Sequence, residues 1–196
     1  MLHELRWDEA LKEIEKAVEL DPLSGVIIYN LGEYYRARRD WHRAAEKFRI
    51  ALELGLEGAH SELFVAYGMM KMYDQMDKEA EASARHYQDI WPRVRTYIDA
   101  YRAYFKGDKE TVRRLLPELE AHPKETSTTA TDIAELYFFL GDVDKGFEWL
   151  GQAYSKREGN LLDIQLDWFF DSVRTDPRYL DLLKRLGLNK TAQLTR

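Results

Sequence analysis

Apolar residues along this chain fall three and four positions apart, in sets that themselves recur. Ala10, Ile14 and Ala17 are followed by Ala44, Phe48 and Ala51, then by Ala80, Ala84 and Tyr87, and later by Gly146, Leu150 and Ala153. A fainter set, Val112, Leu116 and Leu119, fills the remaining slot. The lead positions 10, 44, 80, 112 and 146 are separated by 34, 36, 32 and 34 residues. Steps of three and four place each set on one face of a helix, whereas the strict alternation of a strand is almost absent. A repeat of this length predicts stacked helix pairs rather than one globular core, an architecture suited to holding other molecules.

The punctuation between the sets agrees. Asp21 and Pro22 end a first helix, Pro92 a fifth and Pro123 a seventh, with Pro117 inside the seventh as a point of kinking. Gly107-Asp108 and Gly141-Asp142 each place a glycine where a helix must end with positive φ and an aspartate where the next needs a cap. The predicted helices are 8–20, 24–38, 41–54, 60–73, 77–90, 94–106, 109–121, 128–140 and 143–156. A less regular stretch at 161–173 precedes a helix at 177–186, which has Asp176 as cap, Pro177 in its first turn and Gly187 beyond its end.

Asn30, Leu31, Gly32 and Tyr35, followed by Ala44, Phe48 and Ala51, resemble the tetratricopeptide repeat. That 34-residue pattern carries a Leu-Gly pair and a Tyr on its first helix and Ala, Phe and Ala on its second. The small residues let the two helices approach, and the large ones fill the space between successive pairs. Other units match in part: Gly68, Ala80, Tyr87 and Pro92 in the third, Tyr137 and Ala153 in the fifth, where Ile133-Ala134 replaces Leu-Gly and Gly146 the first Ala. The resemblance implies an all-α, right-handed superhelical α-solenoid. The array would span 1–157, with a half repeat at 6–24 and full repeats at about 25–58, 59–92, 93–125 and 127–157.

Residues 158–196 are then expected to form a capping segment. The stretch from Ile133 to Tyr154, with Phe170 to Arg174 and Asp176 to Leu188, is similar to the last repeat and cap of bacterial multidomain repeat proteins. Leu161, Leu162, Ile164, Trp168, Phe169 and Phe170 supply apolar surface to hide the open face of an end repeat.

Charge and composition narrow the partners. The chain has 35 acidic and 29 basic residues, a net charge of −6, which argues against a dedicated nucleic-acid binder. It has no cysteine, excluding thiolate catalysis and disulfides. No apolar run approaches the ~20 residues that cross a bilayer, and the N-terminus does not read as a signal peptide, so the expected location is cytoplasmic. The five histidines (His3, His42, His60, His86 and His122) show no metal-binding spacing. No nucleophile elbow, phosphate loop or calcium loop occurs, so the expectation is a non-enzyme with neither cofactor nor metal. The basic run Arg36, Arg38, Arg39 and Arg43 reads as a solvated helix end, with an anion-binding patch as the alternative.

The resemblance also implies which side chains face the concave groove. They are Val26, Tyr29, Glu33 and Arg36 in unit two, Glu62, Val65, Met69 and Met72 in unit three, and Thr128, Thr131, Glu135 and Phe138 in unit five. Unit four offers Arg95, Ile98, Arg102 and Phe105, or, in the other register, Tyr97, Tyr101 and Tyr104. Such a lining suits an amphipathic helix or extended peptide of a partner protein. The family's chaperone-carboxylate clamp is not expected, because Glu62 and Ala66 stand where cations would be needed. Leaving one side of such a charge pair unmatched costs roughly 2–5 kcal/mol. The alternative function is a structural or regulatory segment of a larger assembly. It would self-associate as a homodimer through the incomplete N-terminal repeat, where Leu11, Ile14 and Val18 lack a covering helix.

Overall fold

The computed structural model describes residues 7–188, which are predominantly helical and contain no strand. His3, the first residue of the half repeat and positions 189–196 of the capping segment lie outside the described residues. The helices are α1 (Trp7–Leu20), α2 (Gly25–Ala37), α3 (Trp41–Glu53), α4 (Ala59–Met69), α5 (Tyr73–Tyr87) and α6 (Val94–Lys106). They continue as α7 (Lys109–Ala121), the single turn α8 (Pro123–Thr126), α9 (Ala130–Leu140), α10 (Val143–Lys156) and α11 (Pro177–Arg185). Each long helix packs on the next, α1 on α2 through to α9 on α10, with α8 tucked against α6 and α7. This is an all-α array of consecutive helix pairs, consistent with a solenoid.

The small residues act as seats for phenylalanine rings. A methyl group at Gly32 of α2 would lie 2.6 Å from the Phe48 ring of α3, and one at Gly68 of α4 would lie 2.5 Å from Phe105 of α6. Gly146 of α10 stands in the same relation to Phe138 of α9. These approaches are shorter than carbon atoms tolerate, so glycine is required for the helices to lie this close. Ala44, Ala51, Ala80 and Ala153 are fully buried beside them.

Gly107 (φ 75°) and Gly141 (φ 88°) close their helices in the left-handed conformation. Asp108 and Asp142 then accept hydrogen bonds from the backbone of Thr111 and Lys145. Other helix ends use the left-handed conformation without glycine, at Arg39, Lys71, Ser127 and Arg157. Lys71 takes φ 59°, with bonds from Lys71 N–H to Gly68 and Met72 N–H to Tyr67, and Arg39 does likewise at φ 60°. The left-handed Lys71 corrects the expected helices 60–73 and 77–90: the chain turns within Met70–Met72, so α4 ends at Met69 and α5 begins at Tyr73. The less regular stretch expected at 161–173 falls in two short 3-10 segments, Gly159–Asp163 and Trp168–Val173. The last helix follows expectation, with Asp176 capping its start and Gly187 (φ 74°) past its end.

The C-terminal segment does more than cover α9 and α10. Phe170, Tyr179, Leu182 and Leu183 bury against Phe138 and Leu150. Beyond them, Trp168 meets Trp41 of α3 edge-on, with ring centroids 4.7 Å apart, and Asp171 pairs with Arg39 at 2.6 Å. Phe169 packs against Tyr101 and Tyr104 of α6. The tail therefore spans the open side of the array and touches its second helix pair. At the other end, α1 buries no side chain fully, and Leu20, Leu23 and Val26 are exposed. Among the described residues no helix is long and apolar enough to cross a membrane.

Candidate functional site

Together with the tail, the helices surround a partly open chamber of about 1270 Å³. Its walls come from α1, α2, α4, α6, the N-terminal half of α9 and the two 3-10 segments, with Ser83 and Tyr87 contributed by α5. Glu33 and Arg36 project from α2 one helical turn apart, with Arg36 Nη2 2.7 Å from the Glu33 carboxylate. Arg36 Nε lies 3.7 Å from Glu62 of α4, and the Arg36 guanidinium sits 5.9 Å from the ring centroid of Trp168. Burial works against the Arg36 charge, but Glu33 and Glu62 outweigh it and hold the guanidinium firmly protonated.

The opposite wall is carboxylate and phenol. The Tyr101 hydroxyl donates to Glu135 at 2.7 Å, linking α6 to α9. Burial pushes the Glu135 carboxyl well above its usual range, and Asp167 and Asp132 add to this, while the Tyr101 bond and Arg36 act the other way. Burial likewise raises Glu62 to about 7, with Glu33 as the next cause. It raises Asp132 and Asp167 to about 6 each. Asp132 is held by a reciprocal cap: it accepts from Thr129 N–H at 2.7 Å while its own N–H donates to Thr129 Oγ1 at 3.1 Å. Glu158 accepts from Ala130 N–H, Thr131 N–H and Thr131 Oγ1 at 3.0–3.1 Å, tying the start of the tail to the head of α9.

The chain matches no protein-family model and no curated protein. What the chamber does must accordingly be read from its own residues.

Of the groove residues expected from the sequence, the chamber gathers Glu33, Arg36, Glu62, Val65, Ile98, Thr131 and Glu135. The others lie elsewhere. Val26 is exposed at the start of α2, and Tyr29 packs on Phe48. Met69 ends α4 and Met72 lies in the following turn. Arg95 and Arg102 face α5, where both bond Glu81 and Arg102 also reaches Asp77. Phe105 fills the seat at Gly68, Phe138 the seat at Gly146, and Thr128 is buried against Thr126. From α6 the chamber takes Ile98 of the first register and Tyr97 and Tyr101 of the second, while Tyr104 packs on Phe139 and Phe169. A shift of one residue turns a helical side chain by about 100°, which is the whole difference between the two readings.

The residues that sequence reasoning missed come mainly from the ends. Trp7, Glu13 and Ile14 of α1 and Asp167, Trp168 and Phe169 of the tail complete the wall. The aromatic run Trp168-Phe169-Phe170 was visible as capping surface, but nothing local says that its first ring reaches α3. The basic run of unit two is spent internally: Arg36 on Glu33, Arg39 on Asp171, and Arg43 on Asp40. Of the remaining histidines, His60 bonds Glu79 at 2.6 Å outside the chamber, and His42 and His86 are exposed.

Proposed function

We propose that this protein is a non-catalytic binding module of tetratricopeptide type, a right-handed stack of about four repeats that takes a peptide segment of a partner protein into its chamber. The reading is carried by the chamber itself: a cavity of about 1270 Å³ lined by rings, aliphatic side chains and a few polar groups. Pockets for drug-sized ligands run to about 300–1,000 Å³. The consecutive helix pairs and the glycine seats at Gly32 and Gly68 support the repeat assignment. Selection of peptides from a random display library, followed by binding to purified protein, tests the idea. Enriched peptides should lose affinity when Asn30→Trp or Val65→Trp fills the chamber without lowering the melting temperature. Enrichment of nothing, or binding indifferent to both substitutions, would sink it.

A second reading draws on a different face. Leu20, Leu23 and Val26 are 79%, 77% and 57% exposed around the α1–α2 corner, an apolar cluster of the kind that marks an interface. Self-association through this corner would make the chain a structural segment of a larger assembly. Light scattering at high concentration, with Leu23→Glu as control, separates the two: a monomer throughout removes this reading.

A further inference from the structure

We propose that the chamber is a receptor for an organic cation, the ammonium or guanidinium group of a Lys- or Arg-bearing peptide, seated among Glu62, Glu135 and Asp167 and the rings of Tyr97, Tyr101 and Trp168. This deepens the binding reading above and rests on it.

The charge balance of the wall is the first ground. Eight of the side chains lining the chamber are carboxylic acids, and two, Lys12 and Arg36, are bases. Lys12 is exposed on α1, so among the described residues Arg36 is the cation of the lining that sits beside its buried and half-buried acids, with Arg39 and Arg174 acting on Asp167 from outside the lining. Arg36 lies in the field of Glu33, Glu62, Asp167 and Glu135 together. Asp167 is further offset by Arg174 and Arg39, but Glu33, Glu62 and Glu135 share the one guanidinium of Arg36, and burial makes an uncompensated charge costly. Proton uptake relieves part of that cost, and a second cation would relieve it while restoring the carboxylates to charge.

The shape of the donor set says which kind of cation. Among the described residues no three His, Asp or Glu side chains converge closely enough to hold a metal ion. The carboxylates come from α2, α4, α9 and the tail, and aromatic rings share the lining with them. That arrangement fits a cation carried on an alkyl stem, whose charge meets carboxylates and whose methylenes meet rings. A cation within about 6 Å of an aromatic centroid gains from the ring's negative face. The protein already makes this contact internally, with Arg36 5.9 Å from the Trp168 centroid.

An observation of another kind separates a peptide from a free amine. Trp168 is 92% buried, lines the chamber, and its indole N–H has no hydrogen-bond acceptor among the described residues. A buried donor without a partner is costly and uncommon. That N–H is itself closed to solvent, so the ring must turn toward the chamber for a ligand to meet it; an amide carbonyl beside the cationic side chain would then be its acceptor, whereas a protonated polyamine has none.

The test uses N-acetylated, C-amidated tripeptides, Gly-Lys-Gly, Gly-Arg-Gly, Gly-Gln-Gly and Gly-Glu-Gly, together with spermidine as a free polyamine. Each is titrated into the full chain at pH 8 and low salt by calorimetry and tryptophan fluorescence. The Lys and Arg peptides should bind at least about tenfold more tightly than the Gln peptide, equivalent to about 1.4 kcal/mol, with the Glu peptide not binding. In the Glu62→Gln/Glu135→Gln variant, which retains an acceptor oxygen for the Tyr101 hydroxyl, that preference should collapse without any fall in the melting temperature. If this pair fails to fold, Asp167→Asn is the substitute. Gln and Lys peptides binding equally well would overturn the cation inference and leave the peptide-binding reading standing. Spermidine binding with every peptide excluded would keep the cation chemistry and overturn the peptide as its source. Binding of none of the probes overturns both.

Discussion

Arg39 holds Asp171 through both terminal guanidinium nitrogens, at 2.6 and 2.7 Å, across 132 positions of sequence. The contact joins the α2–α3 turn to the tail and marks where the array closes. Both side chains are largely open to water, 40% and 44% exposed, so the pair contributes little by itself. The buried partners of the same closure are rings: Trp168 on Trp41, and Phe169 on Tyr101 and Tyr104. A double-mutant cycle on Arg39 and Asp171 should therefore give a coupling below about 1 kcal/mol, and the Trp41–Trp168 cycle should give a larger one. Reversal of that order, measured by urea unfolding, would show that charge and not ring packing closes the chamber.

Trp168 joins the tail to the first half of the array, and its ring is almost wholly buried. Truncation to alanine should cost about 3 kcal/mol, at the lower end for large aromatic residues in cores. It should also speed proteolytic cleavage of the stretch between α10 and α11, since the tail loses its far anchor. Peptide mapping of a timed trypsin digest reads this directly, and a cleavage rate equal to that of the parent chain would contradict it.

Glycines of the same helix should respond in opposite directions. At Gly146 an added methyl meets the Phe138 ring, whereas at Gly151, also in α10, nothing lies within 4 Å. Gly146→Ala should destabilise by about 1–3 kcal/mol through overpacking, and Gly151→Ala should stabilise by about 0.5–1 kcal/mol through helix propensity. Thermal and urea melts of the two variants decide the matter, and equal effects would count against the ring-seat account.

Acid should strengthen the chamber before it weakens the surface. The Glu62 carboxyl titrates near 4.5 when free and is raised to about 7 in the folded chain, so over that interval the folded state keeps a proton that the unfolded state has released. Its contribution to stability is fully present below about pH 4.5 and is lost as pH rises through about 7. Asp132 and Asp167 behave alike between 3.8 and about 6. Asp77 and Asp171 are held low by their lysine and arginine partners against the opposing effect of burial, and their contribution disappears on acidification below 3.8. Stability should pass through a maximum near pH 5 and decline toward pH 8. Glu62→Gln should raise stability at pH 8, on the order of 1 kcal/mol, and change it little at pH 5. Urea midpoints at the two pH values test the sign, and a flat parent profile would refute it.

The helices themselves were legible because their signals are local. The spacing of Ala44, Phe48 and Ala51 marks a buried face, and Gly141 followed by Asp142 marks a stop and a start, whatever surrounds them. Where the turn lacked those residues, at Lys71, the boundaries of α4 and α5 were displaced, because a left-handed lysine leaves no signature in sequence. Glu33, Arg36, Val65, Ile98, Thr131 and Glu135, which line the chamber, could be placed on a common side from the family resemblance. Arg102 could not, since its direction depends on a one-residue register in a unit whose spacing drifts, and the structure turns it toward Asp77 and Glu81.

By itself the sequence determined the helical period, the caps and the small-residue seats, all set by neighbours a few positions away. Only the tertiary structure decided that Trp168 reaches Trp41, that Tyr101 faces Glu135, and that the groove is a chamber. The reason is geometric. The path of a helical stack is the sum of many small rotations between neighbouring pairs. Whether the two ends meet depends on that sum, which no local pattern of residues records.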